Sequence, residues 1–140
     1  MYELFTPEWI RAYRQALNAN EGYRQAAADW EWPLVLLVDA DPARGLEEPR
    51  GIYLDLYRGE CREARAATRE DAESAPYVIS GDLATWRQVI AGELELIAAM
   101  MRGKLRLERG DLAFLAGYMA AALELIKSAR EVPTSDPEDR

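Results

Sequence analysis

The sequence predicts an α+β fold in which helices pack on one face of a mostly antiparallel sheet. Three observations carry this. Apolar residues recur at gaps of three and four in several segments, the middle of the chain breaks into short strands that include a hairpin, and the elements follow a particular order. Helices come first, then a run of strands, then two helices, one strand and a closing helix, which a sheet-and-helix layering satisfies. With 140 residues, 49% of them apolar and 30% charged, the chain has the balance of an ordinary globular protein. A chain of this length hides roughly two-thirds of its unfolded surface and supports one sizeable core, so residues 1–130 are expected to form a single domain.

Thr6-Pro7-Glu8 predicts a helix start: a hydroxyl cap, a proline whose missing N–H costs nothing at the first position, and an acid near the positive end of the dipole. Trp9, Tyr13 and Leu17 then fall on one face. Residues 20–22 end this helix and 23–30 form a second short one, so the N-terminal helices occupy 6–30 and the sheet with its helices occupies 33–130. Trp30 and Trp32 are expected to seal the core rather than stack on a ligand. Leu34-Val35-Leu36-Leu37-Val38 is a β-branched-rich apolar run, the pattern of a central strand covered on both faces. Residues 41–51 read as a surface loop.

In 51–58 the side chains alternate, with Ile52, Leu54 and Leu56 on one side and Tyr53, Asp55 and Tyr57 on the other. Gly59-Glu60 supplies a turn into a more polar strand over 61–68, completing a β-hairpin. An acidic loop at 69–74 leads to the apolar strand 77–80. Asp82 caps a helix in which Leu83, Trp86, Ile90, Leu94, Ile97 and Met101 recur, the strongest periodicity in the chain, and Gly92 splits it in two. Residues 103–108 alternate as a last strand. Gly110-Asp111 caps a long helix to about residue 130, with Leu112, Leu115, Met119, Leu123 and Ile126 on one stripe and Phe114, Tyr118 and Leu125 on another. Residues 131–140, rich in charge and proline, read as a disordered tail.

The net charge of −8 and a pI near 4.7 argue against attraction to nucleic acid or to an anionic membrane. A single cysteine, Cys61, cannot form an internal disulfide, and no basic and apolar leader opens the chain, so a cytoplasmic protein is expected. The longest uncharged stretch, residues 112–123, falls short of the about 20 residues that span a bilayer. Histidine is absent, which removes the commonest general base and metal ligand near neutral pH. No catalytic residue, metal site or cofactor is assigned. Cys61 reads as a small strand residue, Asp39 and Asp41 as solvated loop acids, and Gly103-Lys104 lacks the remainder of a phosphate loop. Asp55, on an otherwise apolar strand, is either a headgroup partner or a carboxylate bracing the turn.

The last helix is apolar nearly all round, so its second stripe needs a cover: other helices, a subunit partner such as a homodimer mate, or a bound apolar molecule. Here a resemblance bears on the choice. Leu54-Asp55-Leu56-Tyr57-Arg58-Gly59, then Ser80, Asp82, Trp86 and Gly92, then Met101, Gly103, Lys104, Leu105 and Leu107 resemble, in order and spacing over about 34–126, the sterol carrier protein 2 (SCP-2) superfamily. Two features depart from it. Glu108-Arg109-Gly110 delays the closing glycine by one residue, which implies a bulge or a longer turn, and the C-terminal Glu138-Asp139-Arg140 is not a peroxisomal signal.

The resemblance implies a five-stranded sheet with helices enclosing an apolar tunnel, and non-covalent binding of a fatty acid, fatty acyl conjugate or sterol-like molecule. Mapped onto this chain, the tunnel would be lined by Ile52, Leu54, Leu105 and Leu107 of the sheet. Its helical wall would be Trp86, Ile90, Leu94, Ile97, Met101, Leu115 and Met119. Arg102 and Lys104, in a basic cluster with Arg106 and Arg109, would meet a headgroup, although a solvated strand face explains that cluster equally simply. Burying a sixteen-carbon chain yields about 12 kcal/mol against an association cost of about 4–15 kcal/mol, so micromolar binding with rapid exchange is expected. Membrane contact would be at most transient. The rival reading is an assembly subunit whose last helix covers a partner. The carrier reading requires a hollow of lipid width beside Met119 and Ile97.

Overall fold

In the computed structural model, residues 1–137 are described. The chain opens with a short strand β1 (Tyr2–Glu3) and helices α1 (Pro7–Asn18) and α2 (Glu21–Ala26). Helix α1 buries Trp9, Ile10, Tyr13 and Leu17, the expected face. The Thr6 hydroxyl does not cap it, donating instead to the Glu3 carbonyl at 2.6 Å. The Asn20 side chain accepts from Tyr23 N at 3.1 Å and starts α2 three residues after α1 ends, so the second helix begins and finishes earlier than 23–30.

The main sheet holds β2 (Leu34–Val38), β3 (Arg50–Tyr57), β4 (Glu60–Ala66), β5 (Tyr77–Gly81) and β6 (Arg106–Arg109), in spatial order β4-β3-β2-β5-β6. Within this sheet the β2–β5 pair is parallel and the other pairs are antiparallel. β2 is central, as its uninterrupted apolar run predicts. Leu34, Leu36 and Val38 join the main core, while Val35 meets Ala75 and Val78 in a smaller cluster on the other face. The β3–β4 hairpin turns at Arg58 (φ 51°) and Gly59 (φ 84°), and a Cβ on Gly59 would sit 2.5 Å from the Arg24 carbonyl oxygen, so this position requires glycine.

The delayed Gly110 has the expected consequence. Val78 pairs with Arg109 but Ile79 pairs with Leu107, so Glu108 is bulged out of the ladder. The strand itself starts later than 103–108, because 102–105 are consumed in leaving the preceding helix: the amides of Lys104 and Leu105 both donate to the Ala99 carbonyl, at 2.9 and 3.2 Å.

Two further expectations are corrected. Residues 69–74 form helix α3 (Arg69–Ser74), not a loop. Thr68 and Asp71 make a reciprocal capping box, and Asp71 also takes two bonds from Arg65. Residues 131–137 are ordered: β7 (Thr134–Ser135) pairs parallel with β1, the Trp9 indole donates to Thr134 Oγ1 at 2.8 Å, and Arg87 bridges to Asp136 at 2.8 Å. Charge and proline signalled a solvated tail, but they do not reveal that the N-terminal segment offers a matching edge. Residues 138–140 of the expected tail lie outside the described residues.

The α3 contacts make one region acid-sensitive. The Arg65 guanidinium beside Asp71 holds its carboxyl down at about 2 from an ordinary 3.8. A depressed folded value stabilises above the unfolded value and is lost as pH falls through the folded one. Stability is therefore expected to drop between about pH 4 and pH 2 more steeply in wild type than in Asp71→Asn. Urea denaturation at pH 7, 4 and 2.5 checks this, and identical slopes for the two proteins would refute it.

The C-terminal half holds α4 (Leu83–Ala91), α5 (Leu96–Met101), α6 (Leu112–Ala116) and α7 (Met119–Arg130). Asp82 caps α4 by accepting from Thr85 N at 2.7 Å, and Gly92 ends it at φ 85°. The expected single helix from 112 is broken at Gly117-Tyr118 into α6 and α7. Helix α7 packs against α1, α2, α4 and α5 and so occupies the middle of the helical layer.

The candidate lipid site

The sheet's inner face is set by period two: Leu34 and Leu36, then Ile52, Leu54 and Leu56, then Ile79, all buried. Opposite them α7 presents Ala121, Ala122, Leu125, Ile126 and Ala129. Because small side chains face large ones, the layer is not completely filled. A void of about 20 Å³ remains where the sheet meets α2, α6 and α7, bounded by Tyr23, Ala27, Leu56, Ile79, Ala121 and Ala122 among others. A second, of about 10 Å³, lies between Trp9, Ile52, Trp86 and Ile126. Walls this apolar keep such voids dry. Trp30 and Tyr118 of the first void's lining belong to an aromatic cluster with Trp32, Tyr77 and Phe114, with ring centroids 4.9–6.2 Å apart.

Neither void reaches Met119 or Ile97, and neither has the width of a lipid chain. Ligand sites occupy about 300–1,000 Å³, more than ten times the larger void. Ile97 is fully buried and borders neither void.

Of the sequence-predicted lining, Ile52, Leu54, Trp86, Leu94, Ile97, Leu105 and Leu115 join one core cluster, with Ile90 and Leu107 packed at its edge. Only Leu115 reaches the first void, and only Ile52, Trp86 and Ile90 the second. Met101 and Met119 are on the surface, 70% and 42% exposed. The cause is helical phase. The left-handed Gly92 resets the register, so α5 buries Leu96, Ile97, Ala99 and Met100 and turns Met101 outward. The break at 117–118 does the same for Met119 and Leu123 on α7. Tyr23, Ala27, Ala121 and Ala122 were missed. The one available signal was the run of small residues Ala120-Ala121-Ala122 in the expected C-terminal helix.

The proposed headgroup residues are not at either void. Arg102 and Lys104 are exposed in the turn after α5. Arg106 binds Asp39 at 2.6 Å and Glu108 at 3.2 Å, and Arg109 Nε donates to the Ala75 carbonyl at 2.9 Å. Asp55 takes a bidentate bond from Arg62 across the hairpin at 3.0 and 3.1 Å, which makes it a turn brace. Asp39 pairs with Arg106 and Asp41 with Arg44. No group of three or more metal-ligating acids or cysteines is found among the described residues, and no helix among them is long and apolar enough to cross a membrane.

Burial pushes the Cys61 thiol up to about 11, and its Sγ donates to the Glu63 carbonyl at 3.3 Å. A raised thiol keeps almost no thiolate at neutral pH. Native protein is therefore expected to resist iodoacetamide at pH 7.5 and to react fully in urea. Rapid native alkylation, followed by mass spectrometry, would refute this.

The layer has thin walls. A surface groove of about 280 Å³ runs between the end of α4, α5 and α7, and Leu96 and Ala122 border both this groove and the 20 Å³ void.

A mixed five-stranded sheet, a helical layer centred on α7 and an incompletely filled apolar interface between them define a small α+β protein organised around an apolar interior. The SCP-2 sterol transfer family matches residues 15–122, and the chain belongs to that family. Its fold is shared with a crystal structure of a sterol carrier protein 2, 48% identical, covering 94% of this chain and 100% of the other with a TM-score of 0.87. It is also shared with the solution structure of a conserved hypothetical protein, possibly a sterol carrier protein, from Thermus thermophilus. That protein is 47% identical, with 96% and 93% covered and a TM-score of 0.86. Sterol carrier protein 2 of Yarrowia lipolytica in its apo form, at 18% identity, 86% and 88% coverage and a TM-score of 0.55, shares the fold alone. No curated protein matches the chain.

Proposed function

We propose that the chain binds and carries a lipid-like molecule, a fatty acid, fatty acyl conjugate or sterol-like compound, without covalent chemistry. The molecule lodges in the apolar layer between the sheet and α6–α7. One observation supports this above the rest: the interface between sheet and C-terminal helices is wholly apolar yet underfilled, because α7 faces it with alanines. A chain selected only for stability gains by filling such a gap.

The gaps are far smaller than such a molecule, so the hollow that the carrier reading requires forms on binding, as α7 parts from the sheet with the break at Gly117-Tyr118 as the place to bend. Opening subtracts from the about 12 kcal/mol that a sixteen-carbon chain supplies, so micromolar affinity and fast exchange remain the expectation. Such a carrier works in the cytoplasm and touches membranes only transiently.

The test is direct. Purified protein is denatured and extracted with organic solvent, the extract is analysed by mass spectrometry, and delipidated protein is titrated with a fluorescent fatty acid. Co-purified lipid or saturable binding is expected, and absence of both sinks the proposal. A second reading is favoured by the outer face of α6–α7, where Phe114, Met119 and Leu123 are 40–47% exposed: this face covers a partner or a second copy. Light scattering on dilute delipidated protein separates the two, since a monomer opposes the homodimer.

A further inference from the structure

We propose that the groove between the end of α4, α5 and α7 is the mouth of the lipid site, and that it takes a single-chain amphiphile with a carboxylate head. Arg130 and Lys127 hold the head while the chain passes between Leu96 and Ala122. This rests on the lipid-binding reading above and adds to it the route, the head chemistry and the residues.

The groove floor is apolar, formed by Val89, Leu94, Leu96, Ala122, Leu123 and Ile126. Leu96 and Ala122 also border the 20 Å³ void, and Ile126 borders the 10 Å³ one. One layer of side chains therefore separates a groove of about 280 Å³ from both interior gaps. Moving that layer aside joins three spaces into one continuous apolar slot, narrow enough to select an unbranched chain.

The rim carries four charged groups, Glu95, Glu124, Lys127 and Arg130. The acids are engaged. Glu95 accepts from Ile97 N at 2.7 Å and Ala98 N at 3.0 Å, capping α5, and Glu124 accepts from Asn20 Nδ2 at 3.0 Å. The cations are less committed. Lys127, with 61% of its side chain exposed, reaches Glu124 only at 3.5 Å. Arg130 is fixed by Nε donating to the Ile90 carbonyl at 2.8 Å, and its guanidinium lies over the Gly92 turn without an ion pair among the described residues. By contrast, Arg58, Arg62, Arg65 and Arg106 are each matched to a carboxylate. An anchored guanidinium with free N–H groups beside an apolar slot suits a carboxylate.

Delipidated full-length protein is titrated calorimetrically with oleate and with oleyl alcohol, which has the same chain and a neutral head. Wild type is expected to bind oleate about tenfold more tightly, as a charge-assisted contact predicts. Lys127→Gln/Arg130→Gln is expected to erase that preference, and Lys127→Gln alone, on an exposed side chain, to reduce it partly. Backbone amide shifts on adding oleate are expected to centre on Leu96, Ala122 and Lys127. Equal affinity for the two ligands in wild type, an unchanged preference in both variants, or shifts centred elsewhere overturns the mouth while lipid binding stands. Binding of neither ligand overturns lipid binding itself.

Discussion

Trp86→Ala is expected to lower the unfolding free energy by about 3–5 kcal/mol, the range for removing a buried aromatic. Its ring is 1% exposed at the start of α4 and meets Phe5 edge-on at 6.4 Å. Its indole donates to the Leu37 carbonyl at 2.8 Å, tying the helical layer to the central strand. Trp86→Phe separates the two contributions. It keeps most of the apolar area and removes the donor, so about 1–3 kcal/mol is expected for leaving that carbonyl unpaired. Urea denaturation at pH 7 measures both. A Trp86→Ala cost under about 1 kcal/mol would mean that α4 is not fastened to the sheet as described.

Ala122→Phe is expected to cost lipid binding at least about tenfold while the protein still folds, because overpacking a core site typically destabilises by about 1–3 kcal/mol. Ala122 is 3% exposed and forms part of the wall between the interior void and the outer groove. A benzyl group there occupies the gap a ligand would need and braces α7 against the sheet. Circular dichroism establishes that the variant is folded, and titration with a fluorescent fatty acid gives the affinity. Wild-type affinity in a folded Ala122→Phe protein would place the ligand elsewhere. The variant also discriminates between readings, since a partner covering Phe114 and Leu123 from outside would be indifferent to residue 122.

Short-range patterns made the sheet legible. Ile52, Leu54 and Leu56 alternate with polar residues and are all buried, and the run Leu34–Val38 is the central strand. Set against the resembled family, the late glycine at 110 implied a bulge or a longer turn, and the ladder takes the bulge, at Glu108. The candidate lining was less legible. Carrying one helical period through Gly92 and through Gly117 put Met101 and Met119 inside, whereas each break rotates the following helix and hands the inner face to Met100 and to Ala121 and Ala122. A change of two or three residues in phase reverses which side of a helix is wet.

The sequence by itself determined the α+β class, the hairpin, the caps at Asp82 and Asp111, and a C-terminal helical segment more apolar than a sheet alone requires. These follow from contacts among near neighbours along the chain. Only the tertiary structure decided that residues 131–137 are tied to the N-terminus through β1 and β7. It also decided that Asp55 braces a hairpin against Arg62 and that gaps of about 20 and 10 Å³ are left between the sheet and the helices. Each depends on which distant residues come face to face, and on how completely side chains of unequal size fill the space between two layers.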